Sequence, residues 1–594
     1  MNDYFSRMSV AMSAGKQENK IIVLEPTTTA WMYYPANWSP DRSKENAWKE
    51  GNFGELIASF HSFIDSLENW QIEYDLGCED IIKKHGSVES NNLVVGECRY
   101  SLIILPASLE NLDNATFQLL ENYLRKGGLV LSSTKLPAYI DGQASGKIME
   151  LASSFSKKWT QVNEIRELDI NRLVNQNFHL HVTQSNGFVF HQRRRISDCD
   201  LIFIVNSNDK VDALANLSLK GGFVEKWDPF TGETAPYPFL VKENELKLDI
   251  HLPPAGSLLL AVKNEKKEPL SSFHAKPVSI PFTDDLHIDR MEPNILAIDY
   301  CDLNVKGKVF KEIYFYQANK EVFKAYGFDR DPWDNAVQFQ SDIISKDTFS
   351  ATTGFNADYW LNIEKGTNLV GLKLVCERPG IFKISVNDKP LKAIEGEYWI
   401  DNEFAKYSLD SVLKTGKNRI SITCQPMSVF AELEPVYILG DFNLKPQKTG
   451  FSLLPSKKLE IGAWNQQGIP MYYDKISYSH TFVTDDVLGK YILTLGKWDG
   501  ACTEIQVNNQ MAGIIAFPPY QLDITHWVKK GENSVQVIVN GTLRNVLGPH
   551  HQASTGSAWP GMFQSIEKGR SLAGDSYITY PYGLYNDYYI LNEK

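Results

Sequence analysis

The seven cysteines of this chain (Cys78, Cys98, Cys199, Cys301, Cys376, Cys424 and Cys502) are scattered, odd in number and never in a CxxC. That argues against a disulfide framework or a zinc site. No apolar run reaches the roughly 20 residues that a membrane-spanning helix needs. Basic charge is not in surplus either: 60 Lys and Arg against 72 Asp and Glu leave a net charge of −12, and Arg193-Arg194-Arg195 is a short island. Nucleic acid is therefore not an expected partner. Neither a GxGxxG nor a GxxxxGK[ST] phosphate loop follows a strand, and no Gly-x-Ser-x-Gly or Gly-x-Cys-x-Gly elbow supplies a nucleophile. The first fifteen residues lack the charged, apolar and small-residue order of a signal peptide, so the sequence as written reads as cytoplasmic.

What is present is aromatic and repetitive. The 594 residues include 27 Tyr, 30 Phe and 13 Trp, an excess that suits β-rich modules and also surfaces that stack on sugar rings. One passage occurs twice. Ile384-Ser385-Val386-Asn387-Asp388, Tyr407-Ser408-Leu409-Asp410 and Lys414 to Ile422 reappear as Ile505-Gln506-Val507-Asn508-Asn509, Tyr520-Gln521-Leu522-Asp523 and Lys529 to Val537. Each copy reads as an alternating strand, an Asn turn, a strand ending in Leu-Asp, a Gly-x-Asn turn and another strand, which is β-sandwich grammar.

The length predicts several domains, mainly β. Residues 1–16 form an amphipathic helix with Tyr4, Met8 and Met12 four apart and a glycine end. Residues 17–165 alternate buried strands (Ile21–Leu24, Leu102–Leu105, Leu129–Leu131) with helices (Gly54–Trp70, Asn114–Lys126), the pattern of an α/β domain with a parallel sheet. The helical period is absent beyond about residue 165, so 166–272 reads as a small antiparallel β domain. Two β-sandwich or jelly-roll regions follow, 273–445 and 446–594, one per copy of the repeat.

Several residue sets bear on chemistry. Asp329, Asp331 and Asp334 gather carboxylates in one turn and are a candidate Ca²⁺ site, though without EF-hand spacing; no other cofactor is expected. Glu432 and Glu434 alternate along one predicted strand, the placement of a glycosidase carboxylate pair or of a solvated face. Asp299 and Asp302 flank Tyr300-Cys301 as turn caps or as a second such pair, and His550-His551 falls in a loop. No combination supplies nucleophile, base and oxyanion donor together.

The run Gly496-Lys497-Trp498-Asp499-Gly500, with Val507-Asn508-Asn509, Leu522-Asp523 and Gly531-Glu532-Asn533, resembles the sugar-binding jelly roll of family 2 glycoside hydrolases. Asn540 to Asn545 and Tyr582-Gly583-Leu584 match that module as it occurs in large bacterial α-L-rhamnosidase-like proteins. Upstream, Trp227-Asp228-Pro229 with Thr231-Gly232 is similar to the small β domain after their catalytic barrel. The 17–165 segment, with Val95-Gly96 and Leu105-Pro106, looks like their amidotransferase-like domain, and Tyr4 to Gly15 resembles the last barrel helix. The resemblance implies the C-terminal part of such a hydrolase, its barrel lying before Met1 or encoded separately, and so no catalytic residue on this chain. It further implies scaffold and glycan contacts, with Trp464, Trp498, Asp499 and Asn508 as carbohydrate-binding candidates and a plant-type or bacterial glycan as partner. Relatives of this kind are often exported. The alternatives are a complete glycosidase using carboxylates of the β domains and a non-enzymatic oligomerisation module.

Overall fold

The computed structural model describes residues 2–34, 51–174, 178–197, 199–268, 277–328, 346–551 and 573–593. Its chain forms two compact units, Met1–His274 with Phe517–Pro519, and Ala275–Ala516 with Tyr520–Lys594.

In the first unit, the continuous apolar runs become the parallel sheet that their pattern predicts. Strands β1 (Ile21–Leu24), β2 (Asp75–Gly77), β3 (Leu102–Leu105), β4 (Leu129–Ser133) and β5 (Trp159–Val162) lie in the order β5-β4-β3-β1-β2, all parallel. Helices α1 (Asn2–Ser13), α2 (Thr27–Tyr33), α3 (Gly51–Asn69), α4 (Glu79–His85), α5 (Asn114–Arg125), α6 (Lys147–Ser154) and α7 (Glu167–Leu173) complete the α part. The last of these corrects the boundary expected at 165: Ile165, Ile170 and Val174 pack with Leu67, Leu102 and Ile104 under the parallel sheet. A seven-residue helix is too short for its period to be seen in the sequence.

The antiparallel part begins with β6 (Phe178–Gln184) and continues through β7 (Val189–Ile196), β8 (Cys199–Asn206), β9 (Ala213–Leu219), β10 (Phe223–Trp227), β11 (Glu245–Leu252) and β12 (Ser257–Lys263). Two sheets, β7-β8-β12-β10 and β6-β9-β11, enclose Ile202, Ile204, Leu217, Leu248 and Leu260. Helix α1 buries Met8 and Ala11 against Leu201, Leu259 and Ala261 of this domain, and Gln17 pairs with Arg194 of β7. Gln71 and Glu73 tie the two parts together: Gln71 Nε2 donates to Val189 O at 2.7 Å, and Arg193 grips Glu73 in two hydrogen bonds of 2.8 and 2.7 Å.

The second unit holds both copies of the repeat. In chain order its strands are β13 (Val278–Ile280), β14 (His287–Arg290), β15 (Asn294–Ile298), β16 (Tyr300–Val305), β17 (Lys308–Tyr314), β18 (Phe355–Ile363), β19 (Lys373–Glu377), β20 (Lys383–Val386), β21 (Lys389–Pro390), β22 (Asp401–Ser408), β23 (Gly416–Cys424), β24 (Val436–Gly440), β25 (Asn443–Pro446), β26 (Phe451–Leu454), β27 (Lys475–Thr484), β28 (Lys490–Thr494), β29 (Cys502–Val507), β30 (Gln510–Ile515), β31 (Gln521–Asp523), β32 (Gly531–Asn540) and β33 (Tyr589–Glu593), with α8 (Phe315–Ala325) after β17. One sandwich pairs β15-β24-β19-β22 with β16-β18-β23-β20-β21; the other pairs β13-β33-β28-β31 with β14-β27-β32-β29-β30. Strand for strand, the order is the same.

The expected linear division at 445/446 does not describe these strands. β13 pairs with β33 and β14 with β27, so the second sandwich takes its first two strands from 278–290 and the first sandwich is inserted after them. Each sandwich keeps a separate core: Tyr359, Leu374, Ile420 and Ile438 in one, Tyr478, Leu493, Val507 and Val537 in the other.

The repeated asparagines lock each sandwich in the same way. Asn387 (φ +49°) donates to Val412 O and to Asn418 Oδ1, both at 2.8 Å, while Asn418 donates to Lys414 O and Gly416 O. Asn508 (φ +52°) donates to Trp527 O and Asn533 Oδ1, both at 2.9 Å, while Asn533 donates to Lys529 O and Gly531 O. A left-handed turn residue whose amide reaches inward favours Asn over Gly, because Asn tolerates that region and supplies the donors. No described helix is long and apolar enough to cross a membrane.

Candidate functional site

The first sandwich contains a cavity of 390 Å³ beside β16 and β18, and Asp299, Asp302, Glu312, Trp360, Lys417 and Tyr577 are among its lining residues. Asp299, immediately before β16, is 3% exposed. Its Oδ1 accepts from the Tyr577 hydroxyl at 2.5 Å, and its Oδ2 faces His551 Nε2 at 2.8 Å. The rings of Tyr300, Tyr314 and Tyr577 stand edge-on to His551 at 5.5, 5.5 and 4.5 Å. A buried carboxylate needs such donors, because burial without them costs several kcal/mol. Burial, followed by the Asp299 charge, holds the Tyr577 hydroxyl well above its ordinary pKa, so it acts as a donor. Burial also pushes His550 down, keeping it neutral beside the Asn545 carbonyl.

Asp302 lies on β16 itself, on the solvent side of the same wall. It accepts from Lys311 Nζ at 2.8 Å, the Glu312 backbone N–H at 3.0 Å and Trp360 Nε1 at 3.0 Å. Burial pulls its carboxyl upward, but these donors outweigh it and leave the group below the ordinary carboxylate range. Trp360 is 36% exposed, with Lys417 Nζ over its ring, 3.8 Å from the centroid. An exposed indole, carboxylates and the amides of Asn362 and Gln447 in one hollow suit a polyhydroxylated ligand: ring CH groups meet the indole and hydroxyls meet the acceptors. Acid catalysis would require a carboxyl whose pKa is raised, and Asp302 is shifted the other way.

The residues expected from sequence are placed as follows. Trp464 is 1% exposed and donates from Nε1 to Tyr478 Oη at 2.9 Å, so it has no face for a sugar and belongs to the core. Asn508 commits its amide to the turn lock described above. Trp498 is half-buried against Tyr520, its indole N–H has no partner within the described structure, and Asp499 beside it is exposed. Partial desolvation of its carboxyl raises the Asp499 pKa. Glu432 and Glu434 do not lie on a strand; Glu432 pairs with Arg378 at 2.8 Å and the Glu434 carbonyl accepts from Tyr359. Asp299 and Asp302 are not turn caps but line the cavity, and His551 joins the former. Asp329, Asp331 and Asp334 lie outside the described residues. Among the described residues no group of three or more His, Cys, Asp or Glu is arranged to hold a metal.

No family model matches the sequence, and no curated protein matches it. Solved structures do. The chain is similar over its full length to 40% of a rhamnosidase from Novosphingobium sp. PP1Y, at 12% identity and a TM-score of 0.52. The fold is shared with a glycoside hydrolase. A β-galactosidase from Bacillus circulans sp. alkalophilus matches 44% of the chain and 43% of its own length at 11% identity, and an α-L-rhamnosidase from Streptomyces avermitilis matches 61% and 33% at 10% identity. Their TM-scores of 0.29 and 0.19 mark partial superpositions only. The chain spans two-fifths of the length of the Novosphingobium rhamnosidase.

Proposed function

We propose that this chain serves as the non-catalytic, glycan-contacting portion of a rhamnosidase-like glycoside hydrolase, with acid–base chemistry supplied by a catalytic barrel on other residues or on a separate polypeptide. The observation that carries this reading is the full-length fold match to 40% of a rhamnosidase. The state of the carboxylates supports it: Asp299 is buried, accepting from Tyr577 and lying against His551, and Asp302 is held as an acceptor. The glycan contacts are assigned to Trp360, Asp302 and Glu312 in the first sandwich, with Trp498 and Asp499 as a second contact point in the other.

The complete-glycosidase alternative draws on one observation, the presence of Asp299 and Asp302 in a single cavity. Assays on aryl-rhamnosides and aryl-galactosides separate the two readings. The accessory reading expects no turnover above buffer for the wild type. Turnover that falls in both Asp299→Asn and Asp302→Asn would replace it with the complete enzyme.

A further inference from the structure

The parallel sheet of the first unit is covered unequally. Helices α4, α5 and α6 pack on one face, through Ile82, Leu120 and Ile148, while α3 and α7 pack on the other, through Leu67 and Ile170. On the α3 side, at the carboxyl ends of β3, β4 and β5, a cavity of 440 Å³ remains. Its base is Pro106-Ala107-Ser108 directly after β3, Ser133 at the end of β4 and Asn163 directly after β5; its wall is the α3 face with Ser62 and Phe63, and Trp70 beyond it. The strand order reverses direction between β1 and β3. Crevices at the carboxyl ends of strands near such a reversal are where open α/β sheets hold ligands.

Ser108 sharpens the point. It is 7% exposed, and its hydroxyl is buried with no hydrogen-bond partner, a state native structures rarely leave uncompensated. We propose that this cavity binds one small, uncharged polyol of the size of a single sugar ring, and that the Ser108 hydroxyl, sealed from solvent in this structure, turns about χ1 to contact it. The volume falls within the range of small-ligand sites, roughly 300–1,000 Å³. Serine hydroxyls and the Asn163 amide match hydroxyl groups, and Phe63 and Trp70 add apolar lining. A charged ligand is disfavoured, because the lining residues carry one cation, Arg166, and one anion, Glu164, and so no net charge. The site adds binding, not chemistry, to a domain in which no nucleophile elbow was found.

Binding at this cavity is independent of the sandwich hollow, which Trp360→Ala removes from the signal, and the difference made by Ser62→Trp separates it from the Trp498 contact. The full chain carrying Trp360→Ala is titrated with L-rhamnose, D-galactose and inorganic phosphate by calorimetry and ligand-observed NMR. A sugar is expected to bind with a Kd in the millimolar range, about tenfold more weakly when Ser62→Trp closes the mouth. Ser62 is exposed on α3, so that variant leaves the core unaltered, and circular dichroism verifies its fold. Ser108→Val, which fills the same space without the hydroxyl, is expected to weaken binding as well. Absence of sugar binding, sugar binding unaffected by either variant, or phosphate binding more tightly than either sugar would overturn the proposal.

Discussion

Removing the Asn533 side chain tests whether the repeated passage is a structural lock. Asn533 is 1% exposed. Its amide donates to Lys529 O at 2.7 Å and Gly531 O at 3.0 Å, and its oxygen accepts from the Lys529 backbone N–H and from Asn508 Nδ2, both at 2.9 Å. Each such bond contributes about 1 kcal/mol net, more where the abandoned partner stays buried. The Lys529 and Gly531 groups sit in a turn that water reaches once the side chain is gone, which keeps the sum for Asn533→Ala near 3 kcal/mol. Because the chain has several cores, one global unfolding midpoint is a poor readout, whereas amide exchange resolves each sandwich separately. At about 1.4 kcal/mol per decade, protection in β29 and β32 is expected to fall by about two orders of magnitude. Protection in β20 and β23, the equivalent strands of the other copy, is expected to hold. Asn418→Ala reverses the pattern, and Asn533→Asp, which sets a buried carboxylate against the Lys529 and Gly531 carbonyls, loses at least as much. A loss below about tenfold, or equal losses in both copies, would refute the lock.

His191 gives the first unit an acid limit. Burial, and then Arg193, lower its pKa from 6.5 to about 4, so the 3.9 Å approach of its Nε2 to Glu73 is not an ion pair at neutral pH. The unfolded chain takes up a proton near 6.5 and the native state does not until about 4, so stability is lost as pH falls through that window. The loss amounts to about 3 kcal/mol, absent in His191→Gln, and denaturant unfolding of β6–β8 at several pH values reads it. Trp464→Phe is expected to cost about 2 kcal/mol through lost volume and the lost hydrogen bond to the Tyr478 hydroxyl, with glycan affinity unchanged. Reduced affinity at unchanged stability would return Trp464 to the binding surface.

The parallel sheet was legible because its strands are uninterrupted apolar runs, as Ile21–Leu24 and Leu102–Leu105 show, and uninterrupted runs mark burial on both faces. The sandwiches were legible through the turn chemistry of Asn387 and Asn508. The insertion of one sandwich into the other was not, because it is specified by pairing Val278–Ile280 with the last strand of the chain, and local pattern carries no such information. The cavity was only half legible. Asp299 and Asp302 were visible as carboxylates, but His551 reaches Asp299 from 252 residues away and Tyr577 from 278. No spacing rule connects them. Trp464 failed as a sugar contact for the converse reason: a buried and an exposed indole have the same letter, and only the Tyr478 hydroxyl shows which one this is.

The claim that matters most is that the first sandwich contacts glycan through the Trp360 hollow. Calorimetric titration of rhamnose-containing oligosaccharides into the wild-type chain and into Trp360→Ala tests it most directly. The account predicts saturable binding to the wild type, weakened at least about tenfold when the ring is removed. Wild-type binding that survives Trp360→Ala undiminished, or no binding to either protein, would contradict it.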